Sequence, residues 1–137
     1  MEELYKTVTT TCPYCGCGCS MMLEVVDGSL RGLYPSKTGP VNQGKLCIKG
    51  WRAHEFVVSP QRLAHPYIRK NDVLEQVEWD EALDVAVGRL SDIKERYGAD
   101  SVGFFASAKC TNEENYLLQK FARAAVGTNN VDHCARL

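Results

Sequence analysis

Cysteine is the residue type with most chemistry to offer in this 137-residue chain. Seven are present, and four of them, Cys12, Cys15, Cys17 and Cys19, fall within eight residues. Cys12-x2-Cys15-x3-Cys19, followed after 27 residues by Cys47, supplies four thiolates in a three-plus-one arrangement. That pattern suits a cubane iron–sulfur cluster, in which each iron takes one thiolate. A tight loop can place three of them on adjacent corners, and a distant segment must fold back with the fourth. Gly16 and Gly18 relax the backbone enough to wrap a cluster and turn N–H groups toward its sulfides, while Pro13 and Tyr14 stiffen and cover the loop. Structural zinc prefers two paired C-x2-C knuckles, and here the second pair is absent. The radical type of cluster enzyme uses the opposite order, C-x3-C-x2-C. Cys17 lies inside the triad and competes as a ligand. The triplet Cys12, Cys15, Cys17 is tighter than a cubane loop usually takes, so Cys19 is preferred. Cys110 and Cys134 lie outside the pattern and read as small buried or incidental thiols.

The rest of the composition bounds what these thiols can serve. Hydrophobic residues make up 45% and charged ones 24%, the balance of a soluble globular protein. Sixteen Lys and Arg against seventeen Asp and Glu leave a net charge of −1, which argues against a broad basic surface for nucleic acid. No apolar run reaches bilayer length, so no membrane span is expected. An odd cysteine count fits a disulfide framework poorly. The start, Met1-Glu2-Glu3-Leu4-Tyr5-Lys6, has neither a secretory pattern nor a twin-arginine pair. The expected location is the cytoplasm, where clustered thiols serve as metal ligands or redox groups.

The elements that must position the cysteines divide the chain in two. Residues 1–60 are rich in Cys, Gly and Pro. Thr7–Thr11 and Met21–Val26 read as short strands, and Asp27-Gly28 turns the second into a hairpin with Leu30–Tyr34. Pro35–Gly44 reads as a loop, with Gly39-Pro40 and Asn42 as turn formers, and a short helix is expected over about Gly50–Val57. Residues 61–137 read as α/β material. Leu83, Ala86 or Val87, Leu90, Ile93 and Tyr97 recur at helical spacing before Gly98, and Ser101–Ala106 reads as a short buried strand. Thr111-x-x-Glu114 is a capping-box pattern opening a helix toward Gly127, with Leu117, Leu118, Phe121 and Ala125 as its apolar face. The fold class is therefore α+β: a small antiparallel β domain for the cluster, then the beginning of an α/β domain.

Two stretches carry a resemblance. Thr11-Cys12-Pro13-Tyr14-Cys15-Gly16-Cys17-Gly18-Cys19 and Val41-Asn42-Gln43-Gly44-Lys45-Leu46-Cys47-Ile48-Lys49-Gly50 closely resemble the N-terminal cluster domain of molybdenum/tungsten bis-pterin oxidoreductases. Trp79–Leu83, Asn112–Tyr116, Gln119–Arg123 and above all Gly127–Leu137 are similar to the cytoplasmic formate dehydrogenase catalytic subunits among them. The resemblance covers essentially the whole chain. It implies that Cys12, Cys15, Cys19 and Cys47 hold one [4Fe-4S] cluster. It also implies that Lys49 stands between that cluster and the nearer pterin, helping electrons across. Lys109, where relatives commonly carry Arg, matches a position suited to a pterin phosphate, and Asn112, Glu113 and Asn115 match positions lining the pterin site or capping the helix. The implied cofactors are the cluster and a Mo or W bis-molybdopterin guanine dinucleotide. The implied substrates are formate and CO2, and the implied partners are iron–sulfur or flavin electron-transfer subunits.

In that family the Cys-Ala-Arg-Leu stretch is followed by the metal-ligating cysteine or selenocysteine and then a histidine. Here the sequence stops at Leu137; a deliberate fragment and a UGA codon read as a stop both fit, and the second is the favoured expectation. No formate dehydrogenase activity is then expected of these residues alone. A free-standing one-cluster electron-transfer module and a segment of a related nitrate reductase are the alternatives. His54 and His65 carry no recognisable role, and His133 reads as structural.

Overall fold

The structure is a computed structural model and describes residues 4–134. The ends of the readings made above on Met1–Lys6 and on the Gly127–Leu137 run lie outside the described residues. Two compact units emerge. The first holds the chain as far as Arg62 together with Ser107–Asn115, and the second holds Leu63–Ala106 with Tyr116–Cys134.

The first unit is built on a three-stranded antiparallel sheet. β1 (Tyr5–Thr11) pairs with β2 (Ser20–Val26) from Tyr5↔Val26 to Thr11↔Ser20, and β2 pairs with β3 (Ser29–Pro35) with a bulge at Glu24/Val25. The β2–β3 turn puts both Asp27 (φ 48°) and Gly28 (φ 77°) in the left-handed region, as a two-residue hairpin with native twist requires. Cys12, Met21, Leu33 and Ala53 are buried together, with Tyr14, Cys19, Leu23 and Leu46 packed around them. The helix expected over Gly50–Val57 starts earlier and is broken: α1 is Ile48–Trp51 and α2 is Glu55–Val58. Gly50 and the β-branched pair Val57-Val58 are weak helix formers, so single turns are what this segment sustains.

The second unit opens with a hairpin absent from the sequence reading: β4 (Tyr67–Lys70) pairs antiparallel with β5 (Val73–Gln76). Its turn is Asn71 (φ 47°) and Asp72 (φ 64°), residues that tolerate the left-handed region without glycine. α3 spans Trp79–Tyr97 and stops at Gly98 (φ 86°), as its periodicity and the glycine predict. No residue of α3 is fully buried: Ala82, Val85 and Leu90 are half-buried, and Leu83, Val87, Ile93 and Tyr97 of the expected face are exposed.

The strand expected over Ser101–Ala106 is shifted. Ala99–Ser101 is a 3-10 turn closed by the Ser101 hydroxyl on the Gly98 carbonyl (2.7 Å), and β6 is Phe104–Ser107, with Phe105 84% exposed. β6 pairs with β7 (Val131–Cys134). Between them, α4 (Asn112–Phe121) runs into a π-turn, Ala122–Val126, that ends at Gly127 (φ 90°). The buried side of this segment is Ala122 and Val126, whereas Leu117 and Phe121 are exposed. The covered positions, Asn115, Leu118, Ala122 and Val126, recur at steps of three and four, so the helical period holds and only Leu118 of the expected face is half-buried. Among the described residues no helix is long and apolar enough to cross a membrane.

Candidate metal centre

Cys12 and Cys19 stand at the two feet of one loop. β1 and β2 end on the pair Thr11↔Ser20, and beyond it the Cys12 N–H donates to the Cys19 carbonyl at 2.8 Å. The ladder thus clamps the loop shut and leaves Cys15 and Cys17 on its arch. Gly18 sits at φ +67°, a conformation that closes the arch without steric cost only in glycine.

The fourth cysteine is brought in by a polar staple. Asn42, buried, accepts from the Ser20 N–H (2.9 Å) and donates to the Ser20 carbonyl (3.0 Å) and the Lys45 carbonyl (2.9 Å). The Ser36 N–H adds a second bond to the Ser20 carbonyl at 3.0 Å. One side chain therefore ties the residue after Cys19 to the strand of loop that ends in Cys47. Gly39 is needed beneath it, since a Cβ there would fall 2.7 Å from Asn42 Oδ1 and 2.9 Å from Ser20 Cβ. In the sequence Asn42 reads as a turn former. Its buried role is missed because an amide among turn residues signals nothing about what lies across from it.

All four expected ligands, with Cys17, line one cavity of about 550 Å³. Leu46, Ile48 and Tyr14 form apolar wall, and Lys49 and Lys109 also line it. A tetrahedral zinc site, with Zn–S near 2.3 Å, gathers its sulfurs to about 3.8 Å from one another. Among the described residues no group of three or more Cys, His, Asp or Glu side chains is placed to hold a single metal ion. Thiols ringing a roomy cavity fit a cluster that takes one at each corner.

The electrostatics separate the thiols. Cys47 is held below the usual thiol range by the N–H groups of Gly50 and Lys49, against a smaller effect of burial, with the Lys49 ammonium adding to the lowering. Burial pushes Cys19 up, helped by the charges of Cys12, Cys15 and Cys47. A hydrogen bond to Cys15 pushes Cys17 up, followed by the charges of Cys15 and Cys19. Crowded thiolates repel one another, and binding to iron relieves this.

The remaining expected residues fall in Ser107–Asn115. Thr111 and Glu114 close the capping box reciprocally, Thr111 N–H to Glu114 Oε2 at 2.7 Å and Glu114 N–H to Thr111 Oγ1 at 3.2 Å. Asn115 turns back on the loop before the helix, and Asn112 donates to the Gly16 carbonyl at 2.9 Å. Glu113 is exposed on the first turn of α4. Cys110 is half-buried and Cys134 exposed. His54 Nδ1 is buried without a hydrogen-bond partner, His65 is exposed, and the His133 N–H is bonded to Asp132 Oδ1. In the second unit, Thr128 is buried and donates to Asp100 Oδ1 (2.7 Å), and Asn130 donates to the Asp100 carbonyl (2.8 Å). The Thr-Asn-Asn run is thus structural there.

Known proteins match along the chain. The molybdopterin oxidoreductase Fe4S4 domain family matches residues 5–59, and the molybdopterin oxidoreductase family matches residues 62–137. The F420-dependent formate dehydrogenase 1 subunit alpha of Methanococcus maripaludis is 55% identical over 95% of this chain and 19% of the relative. The F420-dependent formate dehydrogenase subunit alpha of Methanocaldococcus jannaschii is 50% identical over 97% of this chain and 19% of the relative. A putative formate dehydrogenase of Staphylococcus aureus is 45% identical over 98% of this chain and 14% of the relative. The chain thus spans about a fifth of the length of the first two relatives. With family matches running almost end to end and a thiol-ringed cavity where the first of them requires one, the chain belongs to the molybdopterin oxidoreductases.

Proposed function

We propose that this chain is the cluster-bearing N-terminal part of a formate dehydrogenase catalytic subunit, working in the cytoplasm on formate and CO2. The observation that carries the reading is the cavity lined by Cys12, Cys15, Cys19 and Cys47 together with Lys49. The four thiolates would hold one [4Fe-4S] cluster. A bis-pterin Mo or W centre supplies the two-electron chemistry when bound. Lys49, fixed in α1 two residues after Cys47, would sit where a cation stabilises the charge of an arriving electron. Residues 1–60 would form the cluster domain and 61–137 the first part of the pterin domain, with Lys109, Asn112, Glu113 and Asn115 on the pterin side. Asn112 and Asn115 are committed to backbone groups, which leaves Glu113 to meet polar ring atoms on that side. Electrons would leave singly through the cluster to iron–sulfur or flavin subunits.

The test is turnover by the protein purified at its natural length under anaerobic conditions. Formate-dependent reduction of a viologen dye, or of F420 because two relatives are named F420-dependent, is the expected result. Dye-dependent consumption of nitrate with no response to formate would contradict it and favour the nitrate reductase alternative.

A further inference from the structure

Ser107–Asn115 is far in sequence from the cysteine loop yet closes part of the same cavity wall, with Ala108 and Lys109 lining it. Its shape is fixed from within. The Asn115 carboxamide accepts from the Ser107 N–H (3.4 Å) and donates to the carbonyls of Ser107 (3.2 Å) and Thr111 (3.1 Å). Ser107 in turn bonds the N–H groups of Lys109 (3.1 Å, through Oγ) and Cys110 (3.1 Å, through its carbonyl). Lys109 therefore stands on a loop tied at both ends.

The loop is also tied to the cysteines. Asn112 Nδ2 donates to the Gly16 carbonyl at 2.9 Å across 96 positions of sequence. The approach is close enough that a Cβ on Gly16 would overlap the Asn112 carboxamide. Gly16 follows Cys15 directly, so the clasp fixes the cysteine arch and the lysine loop to each other. Around the shared cavity, Lys109 joins Lys45 and Lys49 as a third lysine lining the same space as Cys15, Cys17 and Cys47.

We propose that Lys109 is an electrostatic partner of the cluster, presented to it by the Asn112–Gly16 clasp, and that it makes the cluster easier to reduce. The inference rests on the cluster reading given above. Adding an electron adds negative charge to an already anionic cluster, and a fixed cation beside it lowers the cost. Asn112 acts here as a positioning residue: it holds the loop, and the loop holds the charge.

The experiment is an EPR-monitored redox titration of the full chain, with its cluster reconstituted anaerobically from ferrous iron and sulfide. Lys109→Gln is expected to move the midpoint potential to a more negative value, and Lys109→Arg to keep it close to that of the parent. Asn112→Ala is expected to shift it in the same direction as Lys109→Gln, and the double variant to shift no further than Lys109→Gln alone. High salt should shrink the shift. A fully loaded Lys109→Gln chain with an unchanged potential would overturn the proposal, as would shifts from the two sites that simply add. If Asn112→Ala loads no cluster, Asn112→Ser and the lysine variants decide the matter. Failure of the parent chain to take up iron and sulfide would instead strike the cluster reading itself.

Discussion

The two units solve the folding problem differently. The first closes a core of its own, with Cys12, Met21 and Leu33 buried beneath a three-stranded sheet, and it satisfies the polar groups that bend its loops. The second places a 19-residue amphipathic helix, α3, with no residue buried: Leu83 is 53% and Val87 58% exposed. Its buried set is small, chiefly Val77, Val102, Ala122, Val126 and Thr128. Periodicity in a sequence therefore specifies which face of a helix is apolar, and leaves open what covers that face. The cluster unit depends far more on non-local staples, where single side chains hold segments with little regular structure of their own.

This contrast can be tested residue by residue. The largest effect is expected at the ligands: Cys47→Ser or Cys12→Ser should abolish stoichiometric iron and sulfide uptake, whereas Cys17→Ser should retain it. Equal loss from Cys17→Ser and retention by Cys19→Ser would reverse the assignment of the third ligand. Next comes the core. Leu33→Ala should destabilise the first unit by about 2–5 kcal/mol, while Leu83→Ala in the second should change stability by no more than about 0.5 kcal/mol. Each unit holds one tryptophan, Trp51 or Trp79, so fluorescence of single-tryptophan variants in urea can follow them separately. A large loss from Leu83→Ala would mean that the exposed face is covered after all.

Asn42→Ala removes three hydrogen bonds and should cost roughly 2–3 kcal/mol in the Trp51 transition. An unchanged midpoint would show that the staple is dispensable. Thr111→Ala opens the capping box and should cost about 1 kcal/mol, visible as faster amide exchange in the first turn of α4. Unchanged exchange there would deny the cap its role. The smallest effect is kinetic. In the cluster-free chain, raising the pH should make Cys47 reactive first and Cys19 and Cys17 later, because Cys47 ionises below the usual thiol range and the other two above it. Mass spectrometry after brief alkylation reads the order, and simultaneous labelling would contradict it.

Much of this was legible in the sequence because local chemistry writes it. Asp27-Gly28 forces its turn, Gly98 stops α3, and Thr111 with Glu114 opens α4. The β4–β5 hairpin escaped notice because Asn71-Asp72 is a weaker turn signal than Asn-Gly, and its strands are only four residues each. For the candidate site, the four cysteines singled out by spacing line one cavity, and Cys17, set aside on the same spacing, lines it too. Sequence could not show that Asn42 and Asn112 hold the segments carrying them, since a hydrogen bond across 96 positions leaves no periodicity to read. The late part of the helix toward Gly127 was misjudged for a related reason. The covered face runs through Leu118, Ala122 and Val126, one residue on from Leu117, Phe121 and Ala125, and apolar residues on both sides of that boundary leave the choice open to periodicity alone.

The account turns on four thiolates from two segments sharing one cluster. The most direct measurement is Mössbauer spectroscopy of the chain after anaerobic reconstitution with isotopically enriched iron and sulfide, with iron and acid-labile sulfide counted per chain. The account predicts one cubane per chain, with equal amounts of iron and sulfide and spectra of paired mixed-valence sites. Iron bound without sulfide, as isolated tetrahedral thiolate sites, would contradict it.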